Sequence, residues 1–231
     1  MHIITRDDLP LTGFAGLKER LYVMSPTQFT GKRLADTSEG LGHLVYLADA
    51  FFRPHGSTGE HHHRDIDIVT CLIRGRLLHR GSVGDGHVLS AGDVQVQRAG
   101  TTGFAHNEVN PDGSFNHMIQ IWFQPAQSPV ATDYRVHQPQ PGCRTRVYGE
   151  ASPAAGMTWL DVMITGEDDT LAATVSGPCL GYLVRGTAHV TEHSAGVTGQ
   201  ARMAADTLFQ AHDVSIHLAP DSYLLLSGVG R

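Results

Sequence analysis

Ile66-Asp67-Ile68-Val69-Thr70-Cys71-Leu72-Ile73-Arg74-Gly75-Arg76-Leu77-Leu78-His79-Arg80 is the stretch whose reading decides the fold. Its first part is a mostly buried strand that ends at Gly75, and Arg76–Arg80 is the next strand. Gly84-Asp85-Gly86 then supplies a hairpin turn, because glycine accepts positive φ at little steric cost. His87-Val88-Leu89 continues the sheet, Ala91-Gly92-Asp93 turns it again, and Val94-Gln95-Val96-Gln97 alternates strictly. Gly100 and Gly103 interrupt the chain before Phe104–Val109, and His117–Phe123 forms a further strand closed by Pro125. Short strands at this spacing, punctuated by turns, argue for an antiparallel barrel or sandwich.

The second half repeats this grammar. Met157–Ile164 is a strand. Leu180-Gly181-Tyr182-Leu183-Val184-Arg185-Gly186 matches Cys71-Leu72-Ile73-Arg74-Gly75, and Thr187-Ala188-His189-Val190 matches Arg76-Leu77-Leu78-His79. Ala204-Ala205-Asp206 corresponds to Ala91-Gly92-Asp93. A repeat at a spacing of about 110 residues predicts two related all-β domains, 1–130 and 131–231. The Pro-, Gln- and Ser-rich segment from Gln124 to Gly142 is read as their connection.

Composition narrows the function. The chain has 231 residues, 41% hydrophobic and 17% charged, enough apolar material for sizeable cores. No run approaches the roughly 20 apolar residues that span a bilayer, and the start of the chain lacks the apolar core of a signal peptide. A cytoplasmic protein with no membrane partner is expected. The formal net charge is −6, and Lys18 and Lys32 are the only lysines, so direct nucleic-acid binding through phosphates is not expected. Three cysteines, Cys71, Cys143 and Cys179, suit a reducing compartment and read as small buried hydrophobes.

The 15 histidines are out of proportion, and three stand in a row at His61, His62 and His63. Residues i and i+2 of a strand share a face. His61 and His63 therefore form one pair, with His62 pointing away, and His106 and Glu108 form another. Two such pairs on neighbouring strands can converge inside a barrel. Three imidazoles and a carboxylate suit a divalent transition metal, whether Fe, Mn, Co, Ni, Cu or Zn. His79 and His87 are candidates for lining the pocket, and Trp122 fits a core position better than a substrate platform.

From Gly56 to Pro125 the sequence resembles pirins and pirin-like quercetin dioxygenases of the cupin superfamily. The resemblance is carried by His61-His62-His63-Arg64-Asp65-Ile66-Asp67, Arg74-Gly75, His79, Gly84-Asp85-Gly86, Gly92-Asp93-Val94-Gln95, Gly103-Phe104-Ala105-His106-Asn107-Glu108 and Gln120-Ile121-Trp122. His62 and Ala91 replace prolines of the family pattern, and Asn107 replaces serine. The resemblance implies a bicupin, two antiparallel jelly-roll-like β-barrels in one chain. It also implies one metal ion, Fe(II) first among the candidates, held in the N-terminal barrel by His61, His63, His106 and Glu108. Asp67 stands outside that ligand set, and the second barrel, lacking a His-X-His pair, is expected to be metal-free.

The function implied is dioxygen-dependent opening of a flavonol ring with release of carbon monoxide, a flavonol 2,4-dioxygenase activity in which Glu108 is both ligand and general base. The partners implied are a flavonol-like small molecule and O2, acting on a monomer. The alternative, from eukaryotic pirins, is a non-enzymatic regulator that binds a protein partner in response to the redox state of its metal.

Overall fold

The computed structural model describes residues 1–125, 131–151, 153–194 and 197–230. Among them the chain is almost wholly β, with one short 3-10 turn at Arg6–Asp8. The strands are β1 (His2–Thr5), β2 (Leu17–Met24), β3 (Leu44–Phe52), β4 (His61–His63), β5 (Asp67–Arg74), β6 (Arg76–Gly81), β7 (His87–Ser90), β8 (Val94–Arg98), β9 (Phe104–Val109), β10 (His117–Phe123) and β11 (Asp133–His137). They are followed by β12 (Cys143–Tyr148), β13 (Thr158–Ile164), β14 (Leu171–Arg185), β15 (Thr187–Ser194), β16 (Val197–Ala204), β17 (Thr207–Leu218) and β18 (Tyr223–Val229).

The chain forms two compact units. One contains Leu9–Glu39 and His43–Gln138, the other Met1–Asp8, Gly40–Gly42 and Pro139–Arg231. In the first, a six-stranded sheet of order β11-β8-β5-β10-β3-β2 faces a four-stranded sheet of order β4-β9-β6-β7. In the second, β12-β13-β18-β14-β17-β15-β16 run side by side, with β1 also paired to β17. The architecture is jelly-roll-like, as the bicupin reading expects, but the sheets do not close into barrels.

Three features lie beyond a local reading of the sequence. β1 runs antiparallel to β17, from His2 opposite Gln210 to Thr5 opposite Thr207, so the first eight residues belong with the C-terminal half. The expected connection, Gln124–Gly142, contains a strand: β11 extends the six-stranded sheet by pairing with β8, Tyr134 opposite Gln97. Asp133-Tyr134-Arg135-Val136-His137 alternates polar and apolar residues over only five positions, and its ladder runs along the edge of β8. Pro129 of that segment lies outside the described residues. Of the cysteines, Cys71 and Cys179 are buried as expected, whereas Cys143 is exposed on β12.

The repeated Arg-Gly turn has a steric origin. Gly75, between β5 and β6, has φ +80°, and Gly186, between β14 and β15, has φ +85°. A Cβ at Gly75 would lie 2.9 Å from Asn116 Cβ, and one at Gly186 would lie 2.2 Å from Ser222 Oγ. Both turns need glycine's conformational range and also its lack of a side chain.

The first unit buries its apolar residues in layers. Leu17, Phe52, Leu72, Leu77, Leu89 and Met118 form one cluster, and Val45, Ile66, Ile68, Ala99 and Phe104 another. Each fully buried side chain of this size contributes about 1.5–3 kcal/mol of transfer free energy. The same interior also contains polar side chains: Thr70 on β5, Gln95 and Gln97 on β8, Gln120 on β10, and His106 and Glu108 on β9 are all buried. These belong to the candidate site.

Candidate metal centre

β4 pairs antiparallel with β9, with His61 opposite His106 and His63 opposite Phe104. Alternation turns His61 and His63 to one face and leaves His62 exposed on the other. On β9 it buries Phe104, His106 and Glu108. This face looks onto the six-stranded sheet: the His106 ring meets Gln97 of β8, and Glu108 meets Thr70 of β5 and Gln120 of β10.

The imidazoles form a tight group. The candidate ligand nitrogens of His61, His63 and His106 all lie within 4.8 Å of one another. His61 Nδ1 is 2.9 Å from the carbonyl oxygen of Gly59. A carbonyl only accepts, so Nδ1 carries a proton, and in the neutral ring Nε2 is bare. His106 Nδ1 is 3.1 Å from Gln97 Oε1, which likewise accepts and leaves Nε2 bare. The two Nε2 atoms stand 3.0 Å apart. Two bare lone pairs at that distance repel unless a cation lies between them.

A proton on His106 is a poor candidate for that cation. Burial, with His61 and His62 nearby, pushes His63 down to about 4. Burial, with His63, His61 and His79 nearby, pushes His106 down to about 2. A metal ion fits better, since two imidazole nitrogens about 2.1 Å from one ion and at right angles are about 3.0 Å apart. The outer partners Gly59 and Gln97 orient the rings as a metal centre requires. The donor set therefore suits a divalent metal ion.

Glu108 shares the face but not the cluster. It is 1% exposed. Gln120 Nε2 donates to its Oε2 at 2.9 Å, and Thr70 Oγ1 donates to its Oε1 at 3.4 Å. A carboxylate has about four lone-pair directions, so these bonds leave room for a further partner. Burial pushes its carboxyl up to about 7, against the opposing effect of the Gln120 and Thr70 hydrogen bonds.

The other sequence candidates divide. His79 is fully buried; its Nε2 donates to the Val83 carbonyl at 2.7 Å and its ring lies 5.5 Å from that of His106. His87 is exposed on β7, with its ring 5.8 Å from Tyr134. Asp67 pairs with Arg98 at 3.9 Å. Trp122 is half-buried, stacked on Tyr46 at 4.4 Å and on Phe29 at 6.2 Å, with His63 at 5.5 Å and 73° to its ring. It is thus neither a fully buried core residue nor a free platform. A cleft of about 270 Å³ reaches His63 and Phe104, with Arg64 and Thr102 also lining it.

Sequence reasoning missed Gln97, Gln120 and Thr70, which hold the candidate ligands. Thr70 and Gln120 carried a signal, each a polar residue between two apolar ones on a buried strand, whereas Gln97, between Val96 and Arg98, did not.

Comparison with known proteins bears on the fold and its relatives. The Pirin family model matches residues 35–123. Quercetin 2,3-dioxygenase of Escherichia coli is 35% identical over 96 residues, 41% of this chain and 41% of that enzyme's own length. Bacterial pirin YhhW from Escherichia coli, solved in complex with nickel(II), superposes with a TM-score of 0.79 at 19% identity, covering 99% of this chain and 98% of that one. A quercetin 2,3-dioxygenase structure from Acinetobacter baumannii superposes with a TM-score of 0.69 at 17% identity, covering 99% and 79%. Residues 35–123 are thus similar to the pirin family, and the chain as a whole shares the fold of a bacterial pirin.

Proposed function

We propose that this chain is a metal-dependent dioxygenase of the quercetin 2,3-dioxygenase type, opening a flavonol ring with O2 and releasing carbon monoxide. His61, His63, His106 and Glu108 would hold one divalent ion, Fe(II) first among the candidates; the nickel(II) bound by YhhW supports the charge class. The Escherichia coli relative, a quercetin 2,3-dioxygenase, supports the substrate class. When bound, the ion would supply Lewis acidity toward the flavonol oxygens and a route for electrons to dioxygen.

The observation that carries this reading is the cluster of three imidazoles, their ligand nitrogens all within 4.8 Å of one another, with the buried Glu108 carboxyl on the same face. A carboxylate placed there can serve as a general base. Glu108 would accept the proton of the flavonol 3-hydroxyl, leaving an enolate for dioxygen to attack. Both oxygen atoms enter the ring-opened ester, and one ring carbon leaves as carbon monoxide. Gln120 and Thr70 would keep the carboxylate aimed during proton transfer, and Phe104 and Trp122 would shield the imidazoles from bulk water.

The test is quercetin consumption under air by the metal-loaded protein, with carbon monoxide measured as co-product, for wild type and Glu108→Gln. Wild-type turnover with a loss of at least ~100-fold in the variant, in the range expected of a general base, supports the assignment. A Glu108→Gln protein that turns over at the wild-type rate would overturn the role of Glu108. A metal-loaded wild type that leaves quercetin intact would overturn the substrate.

A further inference from the structure

Gln120 joins Trp122 to Glu108. Trp122 Nε1–H donates to Gln120 Oε1 at 3.1 Å, and Gln120 Nε2–H donates to Glu108 Oε2 at 2.9 Å. An indole nitrogen only donates, so it fixes which end of the carboxamide faces it. With the oxygen held by Trp122, the amide nitrogen must face Glu108. The reversed amide would set two N–H groups against the indole N–H and an oxygen against the carboxylate. The Trp122 ring meanwhile lies against His63, 5.5 Å between centroids and 73° between planes, and is itself stacked on Tyr46 and Phe29. One side chain therefore bears on two of the four candidate ligands, by ring contact on His63 and through Gln120 on Glu108.

We propose that Trp122 is a positioning residue for the metal centre, its indole N–H locking the Gln120 amide so that Glu108 always receives a donor and its ring seating His63. The proposal rests on the metal reading of the site.

Binding of Co(II) to the metal-free protein, followed by calorimetry, tests it without recourse to turnover. The variants are Trp122→Phe, which keeps an aromatic ring and removes the N–H, Gln120→Leu, and the double variant. Removing an outer partner of a metal site commonly costs 10–100-fold in affinity, so Trp122→Phe is expected to weaken Co(II) binding by about 10-fold or more. In the Gln120→Leu background the same change is expected to have less effect, because the link it controls is already gone. An unchanged dissociation constant in Trp122→Phe overturns the proposal, as does an equal loss in both backgrounds, which would indicate simple loosening of the aromatic stack. Should Trp122→Phe fail to fold, Gln120→Met carries the test alone, since it removes the donor and leaves the indole in place; an unchanged affinity there overturns the proposal too. A wild type that binds no Co(II) overturns the metal reading itself, an outcome separate from the others.

Discussion

The Nε2 atoms of His61 and His106 face each other across 3.0 Å, while their Nδ1 atoms turn to the Gly59 carbonyl and the Gln97 amide oxygen. This arrangement repels itself in the metal-free chain and is relieved by a cation. Divalent metal is therefore expected to stabilise the fold. At a free metal concentration 100 times the dissociation constant, the gain is about 2.7 kcal/mol. Thermal melts of wild type and His106→Ala with and without Co(II) check this: the wild-type melting temperature rises with metal and the variant's does not.

The hydrogen bond that His106 Nδ1–H donates to Gln97 Oε1 selects the tautomer of His106. Gln97→Leu removes the acceptor and frees the imidazole to place its proton on Nε2, where it blocks coordination. Metal affinity is expected to fall about 10–100-fold. Calorimetric titration of the two proteins measures it, with Gln138→Leu as a control, since Gln138 pairs with Asp93 away from the histidines.

Glu108 gives the apo protein a pH dependence whose sign can be worked out. Its folded-state value is raised to about 7 from an ordinary 4.5. Between those values the folded chain binds the extra proton, so this group's stabilisation is complete below about pH 4.5 and is lost as pH rises through about 7. His63 and His106 act oppositely. Their lowered values make the fold less stable as pH falls below about 6.5, the ordinary histidine value. The difference in unfolding free energy between wild type and Glu108→Gln isolates the carboxyl. That difference is expected to move against wild type as pH rises from about 4.5 to 7, and a flat difference would contradict the buried, proton-holding carboxyl. Metal uptake in the same window is expected to release a proton, visible as a dependence of the calorimetric heat on the buffer's ionisation enthalpy.

Gly75 tests the account of the repeated turn. At φ +80°, with Asn116 Cβ 2.9 Å from where its own Cβ would be, Gly75→Ala is both strained and crowded. It is expected to cost about 1–3 kcal/mol, as such strained positions do. Gly31 has φ +69° but open space around it. Gly31→Ala should therefore cost only the backbone part, about 1–2 kcal/mol. Urea melts of the two variants compare them, and a smaller loss at Gly75 than at Gly31 would contradict the crowding.

Much of the N-terminal unit was legible because its strands are written in alternation. β5, β6, β8, β9 and β10 fall where the apolar runs place them, and period two puts His61 with His63 and His106 with Glu108, while the common face of the two pairs depends on the pairing of β4 with β9. What stayed hidden depends on partners far along the chain. β1 takes its place from β17 and β11 from the edge of β8, and both are short, four and five residues. β14 runs unbroken for 15 residues through Gly177 and Pro178, where the ladder to β17 shifts register. The supporting glutamines were hidden for a different reason: polar residues at inward positions conflict with the local pattern, and such conflicts tend to mark functional sites. Glu108 was assigned to the right face, while the hydrogen bonds that draw its oxygens toward Gln120 and Thr70 depend on packing between sheets.

The most direct measurement is elemental analysis of the chain after anaerobic reconstitution with Fe(II) and removal of free metal, for wild type and for His61→Ala. The account predicts one ion retained per wild-type chain and a loss of most of it in the variant. A wild type that retains none, or a His61→Ala protein that retains as much as wild type, would contradict a metal centre built on these histidines.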